Sequence, residues 1–278
     1  MDAFDPRTTL ARDGVAEQAL EGVMPAEVYR AVEPAQCRVS STGVRKTMGP
    51  HGELDNQLVF GEAFDILERQ GDWALGRARR DRHVGWVEAS ALAEGVRAPT
   101  HRVSAIRTYA FPEPDITSAP PMVLTLNSLV TVEAREGRFA KVAGAGWVVE
   151  IHLAAFDEFD TDPVAVAERH LGAPYQWGGR ESIGLDCSGL VQQSLFACGR
   201  ACPRDTDEQE REAGDAIDPG KDLGALRRGD LVFWDGHVAM MVDEAQVIHA
   251  NGHHLQVSVE PLAAVMARAG QPTSYRRL

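Results

Sequence analysis

At 278 residues, with 44% apolar and 25% charged side chains, the chain has room for two or three modest domains and the balance of an ordinary globular protein. That excludes disordered, collagen-like and membrane-embedded classes. Its 41 acidic against 28 basic side chains leave a formal charge of −13, a surface that repels phosphate backbones and anionic bilayers, so neither nucleic acid nor membrane is an expected partner. The opening MDAFDPRTTLARDG has neither the basic start nor the apolar run of a secretory leader, and no later stretch reaches spanning length; the expected location is the cytoplasm. Four cysteines, Cys37, Cys187, Cys198 and Cys202, show no CxxC spacing, so a disulfide framework, a metal site and a cofactor are all unexpected.

In chain order, residues 1–35 read as an N-terminal extension. Residues 36–98 then present short apolar or alternating runs divided by turn residues, QLVFGEAFDILE, GDWALGRAR and HVGWVEASAL, the pattern of a small all-β domain. Residues 99–155 repeat the theme with HRVSAIRTYAF, a turn rich in proline (Pro112, Pro114, Pro120, Pro121), and LVTVEAREGRFAKVAGAGWVVEIHL. Gly71-Asp72-Trp73-Ala74 is echoed by Gly137-Arg138-Phe139-Ala140, and Gly85-Trp86-Val87 by Gly146-Trp147-Val148, which predicts two related β-modules. Trp86 and Trp147 are expected in their cores.

From 156 the character changes. A linker leads to Asp162-Pro163, a cap and first-turn pair that predicts a helix over 163–171. Further helices are expected at 187–197 and 206–213, then strands at 230–234, 237–242, 246–249 and 255–259. Helices first and strands afterwards make 156–278 an α+β domain.

The chemistry concentrates in this last domain. Leu185-Asp186-Cys187-Ser188-Gly189-Leu190-Val191 sets Cys187 at the first turn of a helix, whose unpaired amides and dipole favour a thiolate, so Cys187 is the candidate nucleophile. Gly236-His237-Val238-Ala239-Met240-Met241-Val242 places His237 at the mouth of an apolar strand as the candidate base. A third polar group must hold the imidazole, and His249 on the next strand is the candidate, with Asn251 as the alternative. Each has a plainer reading beside it. Cys37, Cys198 and Cys202 read as small buried apolar side chains; Asp186 as a helix cap; Glu62 as a surface carboxylate; the acidic run Asp205, Asp207, Glu208, Glu210 as a solvated helix start. The His249 to His254 tract lacks the cysteine or carboxylate partners of a metal site.

Asp-Cys-Ser-Gly-Leu, Gly-His-Val-Ala and His-Ala-Asn, in this order, resemble the NlpC family of papain-like cell-wall peptidases. Pro174-Tyr175-Gln176-Trp177-Gly178-Gly179, Pro203-Arg204-Asp205-Thr206 with Gln209, and Arg228-Gly229-Asp230-Leu231-Val232-Phe233-Trp234 are similar to that family's loop before the nucleophile, cleft helix and pre-histidine strand. The resemblance implies a Cys187, His237, His249 triad, with Tyr175 and the Cys187 amide at the oxyanion. The β-modules resemble bacterial SH3-like barrels. The implied architecture is α+β, a papain-like catalytic domain preceded by two small all-β SH3-like barrels.

The whole arrangement resembles the YkfC type, γ-D-glutamyl-L-diamino acid endopeptidases that act on murein-derived peptides, L-Ala-γ-D-Glu-diamino acid, with a free N-terminal alanine. By motif position the implied substrate-binding residues are Asp186, Ser188, Asp205, Thr206, Trp177, Glu62 and His83, the last standing where that type often has a tyrosine. Two other readings remain: a non-catalytic wall-binding protein, against which the intact Cys, His, His set argues, and an amidase or acyltransferase on the same scaffold. The sequence carries no signal for self-association.

Overall fold

The computed structural model describes residues 4–278, and the chain divides into one compact unit ending at Phe156 and a second beginning at Asp157. In the first unit the alternating runs pair into antiparallel ladders. One sheet of seven strands has the order Leu92–Glu94, Glu33–Cys37, Ala63–Gln70, Trp73–Ala78, Val84–Glu88, Ser41–Arg45, Leu54–Val59. Bulges between Ile66 and Glu68 and between Val44 and Arg45 bend it around Ala35, Val44, Leu58, Phe64, Ile66 and Val87. Its outer strands do not pair with each other, so the sheet stays open where a closed barrel was expected. Just past the Leu54–Val59 edge the turn contacts the following module: Phe60 packs with Val103, Ala110, Leu124, Val130, Val142 and Val148, and the Leu129 N–H donates to the Phe60 carbonyl. A Cβ on Gly61 would stand 1.8 Å from the Leu129 carbonyl oxygen, so only glycine permits this approach.

The second module also forms open sheets, one ordered Met122–Thr125, Arg107–Phe111, Gly146–Val149, Phe139–Val142, Val132–Glu136 and one ordered Leu129–Val130, His101–Val103, Leu153–Ala155. The repeated sequence motif is a repeated hairpin with one register: Ala74 faces Val87 in one copy and Ala140 faces Val148 in the other. The turn glycines Gly71 and Gly137 have φ of 58° and 57°, left-handed backbone that glycine adopts without steric cost.

The stretch expected to be an extension is folded. Ala11–Arg12, Val15–Glu17 and Val28–Arg30 form a small sheet, and Leu10 is buried with Leu67, Leu75 and Trp86. Residues 1–3 of that stretch lie outside the described residues.

The second unit is built on an antiparallel sheet ordered Asp215–Ala216, Ser274–Arg277, Leu231–Trp234, His237–Met241, Gln246–Asn251, Gln256–Pro261. Side chains alternate between its faces. Leu231, Phe233, Val238, Met240, Ile248 and Ala250 meet Leu190, Val191 and Leu195 of the helix α2, Cys187–Ala197. Val232, Trp234, Ala239, Met241 and Val247 meet Leu262 and Val265 of the helix α4, Leu262–Ala269. Covered on both faces, the central strands are apolar at nearly every position, and each large side chain so buried contributes about 1.5–3 kcal/mol. α2 is buried along its whole length, polar Gln192, Gln193 and Ser194 included. The helix α1, Pro163–Glu168, is capped by Asp162 and ends short of the expected Leu171; its last turn tightens to His170-to-Ala167 and Leu171-to-Glu168 bonds. The helix α3, Thr206–Glu212, lies where expected. The helix α4 lies outside the helices expected from the sequence.

Candidate active site

Asp186 has extended backbone (φ −95°, ψ −178°) and caps α2, its Oδ1 accepting the Gly189 N–H at 2.7 Å. The same carboxylate accepts from the Gly178 N–H at 2.9 Å, the Ser188 hydroxyl at 3.2 Å, and the Arg204 guanidinium at 3.0 and 2.6 Å. Arg204, only 1% exposed, donates in addition to Ser188 Oγ at 2.8 Å. Asp186 and Ser188, expected to contact substrate, are therefore bonded to each other and to Arg204, fastening loop to helix. In the sequence Arg204 stands out only as part of the Pro203-Arg204-Asp205-Thr206 motif; a buried charge shows itself by its partners, which sit elsewhere in the chain. Gly189 completes the seam, since a Cβ there would stand 2.3 Å from the Gly179 carbonyl oxygen. Gly189→Ala is expected to destabilise the protein by about 1–3 kcal/mol, as overpacked sites do, which urea unfolding would measure.

Cys187 opens α2 with 6% of its surface exposed. The Ser188 and Val238 backbone amides favour its charged form, and it packs in one buried cluster with Val238, the residue that follows His237. Burial, with the Asp186 charge adding to it, pushes the thiol up to about 12, against those two amides and Arg204. The helix end alone does not produce a resting thiolate. Burial likewise holds His237 down to about 4, His249 and Arg268 acting in the same direction and Glu260 opposing. Burial thus favours the uncharged form of both groups at neutral pH.

His237 Nε2 lies 2.8 Å from His249 Nδ1, and His249 Nε2 lies 2.8 Å from Glu260 Oε1. The sheet explains this chain of contacts. His249 pairs with Ser258, so Glu260 is its diagonal neighbour on the same face; the register Met240 to Ile248 and Met241 to Val247, continued, makes His237 its diagonal neighbour on the other side. Diagonal pairs on one face are within reach of long side chains. Arg268 of α4 closes the row, donating to Glu260 at 2.7 and 3.2 Å. Despite burial, Arg268 and then His249 pull the Glu260 carboxyl down to about 2. Burial lowers His249, with Glu260 opposing. Asn251, the alternative orienter, instead donates to Ser258 Oγ at 2.9 Å and accepts from the His254 N–H at 2.7 Å, bracing a turn.

Tyr175 packs on the α2 core, its N–H donating to the Leu255 carbonyl. Burial and the neighbouring Cys187 and Asp186 raise its hydroxyl above the usual phenol range, so it stays a hydrogen-bond donor near the sulfur. Trp177 is 58% exposed. Asp205 occupies the cap position of α3 without a side-chain capping bond, and Thr206 begins the helix; both are half-buried. Gln209 ties α3 to α2 by donating to the carbonyls of Ser188 and Pro203 at 3.0 and 2.9 Å. Glu62 and His83 belong to the first unit. Glu62 is buried there, not a surface carboxylate, and accepts from the Val59 N–H and from Arg80, each at 3.1 Å. His83 is fully buried with Nε2 3.1 Å from Asp55 Oδ2.

Residues 172–269 match the NlpC/P60 family, and residues 44–92 match the bacterial dipeptidyl-peptidase Sh3 domain. The chain is 23% identical over 236 residues to dipeptidyl-peptidase 6 of Lysinibacillus sphaericus, across 76% of this chain and 85% of that relative. It is 27% identical over 223 residues to the gamma-D-glutamyl-L-lysine dipeptidyl-peptidase of Bacillus subtilis, across 71% of this chain and 72% of the relative. A crystal structure of an NlpC/P60 family protein from Bacillus cereus shares the fold with a TM-score of 0.74 at 19% identity, covering 88% of this chain and 99% of its own.

Proposed function

We propose that this chain, which through its C-terminal domain belongs to the NlpC/P60 family of cysteine peptidases, hydrolyses the bond between γ-D-glutamate and the diamino acid of murein stem peptides bearing a free N-terminal L-alanine. The observation that carries the reading is Cys187 at the start of α2, packed in one core with Val238, the neighbour of His237, whose ring lies 2.8 Å from that of His249. The relatives' names supply the bond: one is a gamma-D-glutamyl-L-lysine dipeptidyl-peptidase. The β-modules 36–98 and 99–155 are read as SH3-like domains before a peptidase domain at 156–278. Support comes from the match at 44–92 and the shared hairpin register.

In this mechanism the thiol proton passes to His237 as sulfur attacks the γ-glutamyl carbonyl carbon. The oxyanion is met by the Cys187 amide and the Tyr175 hydroxyl. Collapse breaks the C–N bond, and His237 returns the proton to the leaving amine of the diamino acid. Water, deprotonated by His237, then splits the thioester, releasing L-Ala-γ-D-Glu and restoring the thiol. Asp186 and Arg204 position the nucleophile's helix, and Ser188, Asp205, Thr206 and Trp177 are the substrate-facing candidates of this unit. Such a peptide is already free of glycan, and the reading locates the enzyme in the cytoplasm, which fractionation of the host checks.

Incubation with L-Ala-γ-D-Glu-diaminopimelate under reducing conditions should release the dipeptide, read by mass spectrometry; absence of product would overturn the proposal. N-acetylating the alanine, or offering intact sacculus, should give the poorer substrate. The pH profile adds a second check. An imidazole accepts a proton only in its neutral form, which is present above its pKa, and His237 is held down to about 4. kcat/KM should therefore persist below pH 6 and fall as pH drops through about 4; a limb near the ordinary histidine value of about 6.5 would contradict this environment.

A further inference from the structure

We propose that Glu260 and Arg268 are positioning residues. Clamped by Arg268, the Glu260 carboxylate holds the hydrogen of His249 on Nε2, which holds the hydrogen of His237 on its own Nε2 and leaves His237 Nδ1 bare to take the Cys187 proton. The inference rests on the peptidase reading for its catalytic meaning and on geometry for its substance.

An ionised carboxylate only accepts hydrogen bonds, and Glu260 is 2.8 Å from His249 Nε2, so that nitrogen carries the hydrogen. A neutral imidazole has one protonated and one bare nitrogen, so His249 Nδ1 is bare. It lies 2.8 Å from His237 Nε2, so His237 must donate there, and its remaining nitrogen is unprotonated. Without Glu260, either tautomer of His249 satisfies its surroundings, and half of the possible arrangements leave His237 with its hydrogen on the nitrogen that should be the base. When His237 accepts the thiol proton, its Nε2–H still points at His249 and the Glu260 charge stands behind that ring. The Arg268 guanidinium on α4 and the titratable His254 on the preceding turn also face this row, the latter 3.5 Å from Glu260 Oε1. Arg268 uses both guanidinium ends on the one carboxylate, which fixes its plane.

The test uses the full chain labelled with nitrogen-15 histidine, as wild type, Glu260→Ala and Glu260→Gln. Near pH 7 the wild-type shifts of His237 and His249 should both report a protonated Nε2 and a bare Nδ1. Glu260→Ala should mix these forms; Glu260→Gln should keep them, because its amide oxygen accepts the same N–H, while removing the charge. In kinetics on the stem peptide, Glu260→Ala should lose about 10²-fold in kcat with KM little changed, and Glu260→Gln about 10-fold, within the range of a positioned base. A wild-type His249 carrying its hydrogen on Nδ1, or an alanine variant with unchanged ring shifts, overturns the proposal. If Glu260→Ala fails to fold, Glu260→Gln decides, and an unchanged kcat overturns it. Should the wild type show these tautomers yet cleave no stem peptide, the relay stands and the peptidase reading falls.

Discussion

Cys187→Ala is expected to abolish release of the dipeptide, and His237→Ala to reduce kcat by about 10⁴-fold or more, the scale on which loss of either member disables a nucleophile and base that act as one unit. Neither group can substitute for the other. The thiol, pushed up to about 12 by burial and Asp186, yields no useful thiolate by itself at neutral pH; the imidazole, held down to about 4, has no other proton to deliver to the leaving amine. Because they fail together, the double variant should be no worse than Cys187→Ala alone, and this non-additivity distinguishes a joint catalytic role from two independent structural ones. Dipeptide release by mass spectrometry, with circular dichroism to confirm the fold, is the measurement. Turnover in Cys187→Ala within tenfold of wild type would remove this sulfur from the chemistry.

Arg204→Met should produce the largest loss of stability among the site variants, about 3–5 kcal/mol, the cost of stripping one partner from a buried ion pair. The methionine fills similar space, so the loss comes from the carboxylate left behind. Asp186 would keep the Gly178 and Gly189 amides and the Ser188 hydroxyl but lose both guanidinium bonds. Arg204→Met combined with Asp186→Asn should recover part of the loss, since no uncompensated charge then remains buried. Urea unfolding of the wild type, both single variants and the double variant gives the coupling energy. A single-variant cost under about 1 kcal/mol, the scale of an exposed pair, would show that the ion pair does not fasten this loop.

The elements whose evidence is local were readable from the chain. α2 runs over the expected Cys187–Ala197, because a capping aspartate and a run of apolar residues announce it within a dozen positions. The paired Gly-Trp-Val strands declared themselves by repetition. Glu260 and Arg268 did not, for a physical reason: a diagonal contact depends on the register of two strands, and neither strand's sequence states it. The expected strand stopped at 259, one residue short of the carboxylate, while the observed one runs through Gln256–Pro261. α4 follows directly on that proline with Leu-Ala-Ala-Val-Met-Ala-Arg-Ala, apolar enough to suit either a helix or a strand. Sheet closure was beyond the sequence for a similar reason, since whether two edges meet is decided by residues far apart. The strands before residue 31 are two or three residues long, too short to show a period.

Phe60 belongs by sequence to one β-module and by packing to the next. Taking either module away leaves the other with an empty socket or a stranded ring, a defect worth about 3–5 kcal/mol for a phenylalanine, comparable to the whole stability of a domain this small. The pair is therefore expected to melt as a single cooperative body, and a nick near Thr100 to release halves that do not hold their fold.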